Sequence, residues 1–195
     1  MNSYSVKTFS LPPIDGISQK TMETHLGLYA GYIKNLTTHY ETLRTLCENG
    51  GTPTAISAVN RRIGFELAGV LNHELFFTAL EGGPTPLTDG SALHALVVKQ
   101  FNSVDGFLKA IAHTAQTTRG IGWVLVSYDK DRDMLHLLWV SDHELGSVPL
   151  PSVLAVDLWE HAYLMDYAPA EKGSYVDAYL RAINWSTIEN LFETL

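Results

Sequence analysis

Four residues of this chain have the side chains to hold a metal ion, provided the fold brings them together: His25, His73, Asp157 and His161. Asp157 closes the apolar run that starts at Val153, which prolines bound and which reads as a buried strand. His161 follows four residues later. A helix starting at the strand end would set both on one side, one turn apart. Alone, the pair also fits an ordinary role, with Asp157 capping the helix and His161 a hydrogen-bonded core histidine. His25 and His73 would add two imidazoles from the N-terminal half. Three imidazoles and a carboxylate, without thiolate, suit a first-row ion of borderline hardness; iron, manganese and zinc all qualify. A hydrolytic zinc site would also want a glutamate base at its water. Glu74 and Glu160 are the candidates, but helical geometry turns each away from its neighbouring histidine.

The elements that must position these residues are legible in the apolar periodicity. Met22, His25, Leu26, Tyr29, Tyr32, Ile33, Leu36, Tyr40, Leu43 and Leu46 recur at spacings of about three and four. They predict a long helix opening at Ser18 or Lys20 and stopping at Asn49-Gly50-Gly51. Gly27 and Gly31 inside it leave room for close approach of another backbone or a ligand. A second helix spans about Thr54 to Leu80 and is apolar nearly all round in its later half, where His73 sits. A histidine there needs a hydrogen-bond partner or a metal. The Gly-rich turn makes the two helices an antiparallel hairpin that can set His25 facing His73.

Residues 81–90 form the one clear linker. The boundary expected there separates an N-terminal helical-hairpin domain, 1–83, from a C-terminal α/β domain, 84–195. Helical patterns follow at about 91–101 and 104–118, strand patterns at about 120–129, 133–142 and 152–157, and helices at about 159–167, 174–184 and 186–193. The fold class is α+β: a long antiparallel helical hairpin, then a three-stranded antiparallel sheet flanked by helices.

Composition narrows the function classes. The chain has 195 residues, 46% of them hydrophobic and 17% charged, which is globular. A net charge of −8 argues against a general nucleic-acid binder. The lone cysteine, Cys47, excludes a disulfide framework and reads as a small buried apolar residue. With no basic start followed by an apolar run and no stretch long enough to span a bilayer, a cytoplasmic protein without membrane partners is expected.

The residues also carry a resemblance to the iron/manganese superoxide dismutases over nearly the whole chain. Asp157-Leu-Trp-Glu-His-Ala-Tyr163 resembles the family's Asp-x-Trp-Glu-His-Ala-[Phe/Tyr] signature. Leu11-Pro-Pro13, Asn72-His73 with Leu75-Phe76, Gly120-Ile-Gly-Trp123 and Ile183-Asn-Trp185 resemble further family elements. The resemblance implies that His25, His73, Asp157 and His161 ligate one iron or manganese ion per subunit, its choice undetermined. It implies redox cycling that disproportionates superoxide to dioxygen and hydrogen peroxide, an antioxidant activity. It implies a homodimer in which Glu160 bonds the partner's ligand histidine. An outer-sphere Gln or His hydrogen-bonds the solvent at the metal in the family. One subgroup takes that Gln four residues before the second histidine ligand, where this chain has Gly69; His143, in the turn Ser141–Glu144 after the second strand, is then the candidate.

The chain departs from the family at the substrate gate. Position 29 is tyrosine where the family has histidine, and the next tyrosine, Tyr32, comes one residue early, as a one-residue deletion would produce. Phe77 and Leu164 replace the usual tryptophan and the tyrosine that reaches across the dimer. Tyr32, seven residues from His25, returns to nearly the same helix face and takes the gate and proton-relay role; Tyr29 is expected at the subunit boundary. The alternative these departures keep open is a metal-binding relative with weak or lost activity.

Overall fold

The computed structural model describes residues 4–143 and 149–195. Helix α1 runs Gln19–Glu48 and α2 Pro53–Thr78. Ser18 caps α1 by accepting the Thr21 N–H, and Thr52 caps α2 ahead of Pro53, which needs no donor at a first helical position. Between them Gly50 adopts φ 69°, the left-handed turn that ends α1. The two helices pack as the antiparallel hairpin the periodicity predicts.

Helices α3 (Ala92–Phe101) and α4 (Val104–Thr117) lead into strands β1 (Trp123–Asp129), β2 (Met134–Val140) and β3 (Ser152–Asp157). The sheet is antiparallel in the order β2-β1-β3, with β1 buried at the centre. Trp123 pairs with Val140 on one side and Asp157 on the other, so strand register fixes these residues side by side. Gly122, at φ 127°, has no space for a side chain: a Cβ there would lie 2.2 Å from the Val140 carbonyl oxygen. Its own carbonyl accepts the Leu158 N–H at 2.9 Å and extends the sheet just past Asp157.

Helices α5 (Lys172–Ala182) and α6 (Trp185–Glu193) close the chain. The residues expected as a helix at 159–167 instead form a 3₁₀ turn, Glu160–Ala162, followed by turns. Trp159 is extended, at φ −70° and ψ 147°, and its N–H bonds Asp157 Oδ1 at 2.8 Å, so the chain bends sharply before any helix can start. Cys47 is exposed, not buried, because in the last turn of α1 only Leu43 and Leu46 face inward. Gly27 and Gly31 meet nothing within 4 Å of a Cβ position, so neither serves a close approach among the described residues.

Several bonds lock the halves of the chain around the hairpin. Asn184 N–H donates to Ala79 O and its side-chain amide to Glu81 O, both at 2.7 Å. Asp166 accepts from Ser18 N–H at 2.8 Å and Thr21 hydroxyl at 2.7 Å, fastening the loop after His161 to the α1 turn that precedes His25. Tyr179 stacks on Phe76 with ring centroids 4.5 Å apart and donates its hydroxyl to Ala155 O. Among the described residues no helix is long and apolar enough to cross a membrane.

Candidate metal centre

His25 on α1, His73 on α2, Asp157 at the end of β3 and His161 in the 3₁₀ turn each offer one donor atom, and these atoms lie within 4.8 Å of one another. Donors at roughly 2.0–2.2 Å from a common first-row ion fall about 3–4.4 Å apart, so the cluster has the right size. The imidazoles meet around one carboxylate oxygen: Asp157 Oδ2 lies 3.0 Å from His25 Nε2, 3.1 Å from His161 Nε2 and 3.8 Å from His73 Nε2. The carboxylate's two oxygens divide the work. Oδ1 holds the bend at Trp159, which leaves Oδ2 facing the histidines.

His73 gives the sharpest sign that a cation belongs here. Its Nδ1 lies 2.6 Å from Gly69 O, an acceptor only, so the proton is on Nδ1 and Nε2 carries a lone pair. That Nε2 is buried without a hydrogen-bond partner among the described residues and faces another electron-rich atom, Asp157 Oδ2. Two buried lone pairs set against each other are costly unless a cation sits between them. Burial, then the neighbouring His25, lowers the His73 pKa to about 3. Burial likewise lowers His25. Both rings are therefore neutral near pH 7, the form that ligates. Burial alone would raise Asp157, but His161 and the bonds from His161 and His25 outweigh it and hold the group ionised well below the usual carboxylate range. The residues fit a metal ion in charge, donor type and spacing.

A second group lies beside the cluster. The His143 ring is 6.3 Å from that of His73 and 5.2 Å from that of Tyr32, while Tyr32 lies 5.1 Å from His73. His143 is buried, and its Nε2 accepts the Trp123 indole N–H at 2.8 Å. An indole only donates, so the His143 proton is on Nδ1, and that N–H is buried without a partner among the described residues. Glu144, in the same turn, lies outside the described residues. Burial, then Asp157 and Glu66, pushes the Tyr32 hydroxyl up to about 12, so it keeps its proton across the neutral range.

Tyr29 is placed differently from the expectation. It is fully buried in its own protomer, against Phe9 and Phe77. Its hydroxyl donates to Glu74 Oε1 at 3.0 Å and accepts the Lys7 backbone N–H at 3.2 Å, while the Lys7 ammonium pairs with the same carboxylate. An interior pocket formed by the N-terminal strap takes the ring before any subunit boundary could. Sequence reasoning missed that Gly69 is shaped by Tyr32: a Cβ at 69 would sit 2.6 Å from Tyr32 Cδ1. It also missed the tie from Trp123 to His143, although the motif containing Trp123 was visible.

Comparison with known proteins places this geometry. The family described as iron/manganese superoxide dismutases, C-terminal domain, matches residues 89–191, more than half of the chain. The chain belongs to the iron/manganese superoxide dismutase family. Its similarity extends through the N-terminal helices as well. It is 29% identical to a superoxide dismutase [Mn/Fe] of Aeropyrum pernix over 97% of this chain and 92% of that protein. It is 31% identical to a superoxide dismutase [Mn] of Mycolicibacterium fortuitum over 86% and 80%. It is 27% identical to a superoxide dismutase [Fe] of Methanothermobacter thermautotrophicus over the full length of both. Membership brings the family's oxidoreductase reaction, superoxide disproportionation, and its cofactor, one iron or manganese ion.

Proposed function

We propose that His25, His73, Asp157 and His161 hold that ion, with Tyr32 and His143 completing a working superoxide dismutase. The observation that carries this is the convergence of three imidazole Nε2 atoms on Asp157 Oδ2, with that of His73 left as an unpaired lone pair. When bound, the ion supplies a one-electron couple between its 3+ and 2+ states, oxidising one superoxide to dioxygen and reducing a second to peroxide. The chain supplies the rest. Peroxide takes up two protons, and Tyr32 and His143 each bring a hydrogen-bond donor to the ligand cluster. Trp123 keeps the His143 proton on Nδ1, where it is unspent and available to substrate oxygen. Aromatic walls, Phe76 and Phe77 beside His25 and Trp123 beside His73, line the cluster and lower the local dielectric, which strengthens each of these contacts.

The experiment replaces His143 and its anchor in turn. His143→Ala should retain the metal but shift its reduction potential and lower turnover. Trp123→Phe should shift the potential in the same sense by a smaller amount, because the ring remains but its tautomer is no longer held. A potential unchanged in both variants would make His143 a bystander.

The quaternary reading is a homodimer. Glu160 is exposed at the head of the 3₁₀ turn, next to half-buried His161, and Leu164 and Met165 are 42% and 44% exposed just beyond it. A partner's Glu160 accepting the second N–H of His161 would fix its tautomer and strengthen its donation to the metal. Glu160→Ala should weaken the dimer in sedimentation and lower metal affinity roughly 10- to 100-fold. A fully active monomer at micromolar concentration would refute this. We take the linker at 83/84 as the lobe boundary, and the cytoplasm as the setting, which a chain with a single cysteine suits.

A further inference from the structure

His25, His73 and Asp157 stand on regular elements, two long helices and a strand, whereas His161 stands on a 3₁₀ turn of three residues. Ala162 and Tyr163 are buried and seat that turn in the core, with the Tyr163 ring stacked on Tyr175. The register of His161 against His25 depends in addition on what joins the turn to α1. Outside the ligand cluster, the hydrogen bonds that tie α1 and its cap to the chain beyond α2 all run, among the described residues, to Asp166. They complete the helix cap from a distance. In a capping box, a Glu or Gln three residues after the N-cap reaches back to the N-cap N–H. That position here is Thr21, and the first turn of α1 holds no acidic residue. Asp166 Oδ2 takes the Ser18 N–H instead, at 2.8 Å, and accepts the Thr21 hydroxyl at 2.7 Å. Its charge also meets the positive end of a 30-residue helix. Burial alone would raise the Asp166 pKa, but the bonds from Thr21 and Ser18 outweigh it, so both bonds are charge-assisted at neutral pH.

Each end of this clasp leads to a ligand. Thr21 is fully buried and lies one turn before His25 on the same helix face. Asp166 N–H bonds Tyr163 O at 3.0 Å and Leu164 N–H bonds Glu160 O at 2.9 Å, so consecutive turns carry Asp166 back to His161. The neighbouring residue fits the same joint: at Gly16, φ 88°, a Cβ would lie 2.7 Å from Tyr167 Oη. We propose that Asp166 is a positioning residue of the metal centre, completing the α1 cap from the loop after His161 and so holding His25 and His161 at ligating distance from each other. This rests on the ligand assignment above.

The experiment loads the full chain with manganese(II) or iron(II), whichever it retains, follows release into excess EDTA, and melts the apo and loaded forms. Asp166→Ala should release the metal about tenfold faster, at the lower end of what a residue supporting a ligand contributes. The gap between the two melts, which reports the stabilisation by metal, should shrink with it. Thr21→Val, which loses one hydrogen bond, should release about threefold faster. Asp166→Asn, which keeps an acceptor and loses the charge, should fall between wild type and Asp166→Ala. Thr21→Val added to Asp166→Ala should speed release little further, because both act through one carboxylate. Asn184→Ala is the control: it cuts a tie to Glu81 O away from α1, and should lower both melts while release stays close to the wild-type rate. Asp166→Ala that lowers both melts equally and releases metal at the wild-type rate overturns the proposal, as does equally fast release from Asn184→Ala. Should Asp166→Ala fail to fold, wild-type release from both Thr21→Val and Asp166→Asn overturns it. A wild type that takes up neither metal instead refutes the ligand assignment beneath.

Discussion

His73→Ala and His161→Ala are each expected to purify with little bound metal and no measurable superoxide turnover. Changing a residue that only supports a ligand costs roughly 10- to 100-fold in metal affinity, and removal of a ligand should exceed that. His73 is the cleaner probe. Its Nδ1 bond to Gly69 and the absence of any partner at Nε2 leave the ring one evident task. The fold should survive, because the core around it rests on apolar residues such as Val70, Phe76 and Phe77. Metal analysis beside a thermal melt therefore separates loss of the ion from loss of structure. Full metal occupancy and activity in either variant would show the ligand assignment to be wrong.

The second large effect is expected from the smallest addition, Gly69→Ala. A methyl group there would lie 2.6 Å from Cδ1 and 2.8 Å from Cε1 of Tyr32, so the ring must move. Overpacking of this kind costs about 1–3 kcal/mol. The displaced ring is the one that packs on both His73 and His143, so turnover should drop severalfold while most of the metal is retained. Tyr32→Phe, which keeps the ring in place and removes only the hydroxyl, should hold metal and dimer but falter at high superoxide flux. Tyr29→Phe is the control. It loses the bonds to Glu74 and Lys7, which lowers stability by about 1 kcal/mol, and leaves turnover nearly intact. A larger kinetic defect in Tyr29→Phe than in Tyr32→Phe would assign the gate to Tyr29.

Much of the architecture was legible because it rests on periodic signals. The hairpin followed from a 3.6-residue apolar repeat with a Gly-rich stop, and the three strands from short apolar runs between turn residues. His73 stood out because a buried polar residue on an apolar face demands a partner, Asp157 and His161 because a strand end and a spacing of four set them close, and the set of four with His25 came from the family resemblance. The helix expected at 159–167 was not there. Asp157 and His161 do come together, but through a side-chain-bonded bend and a 3₁₀ turn, which a spacing of four cannot distinguish from an α-helical turn. Side chains that meet across elements left no local signal. Gly27 and Gly31 drew attention by their spacing yet have open space where a Cβ would stand among the described residues, whereas Gly69, noted only for lacking a glutamine, is the glycine that a neighbouring ring requires. Trp123 and His143 stand 20 residues apart, and only the register of β1 against its neighbours brings them together.

The most direct test of the central claim is the metal content of the purified protein together with superoxide turnover per bound metal. The expected result is close to one iron or manganese ion per chain and turnover that rises in proportion to it, is lost on chelation and returns on reloading. Stoichiometric zinc without turnover, or full iron or manganese occupancy with no dismutation, would contradict the account.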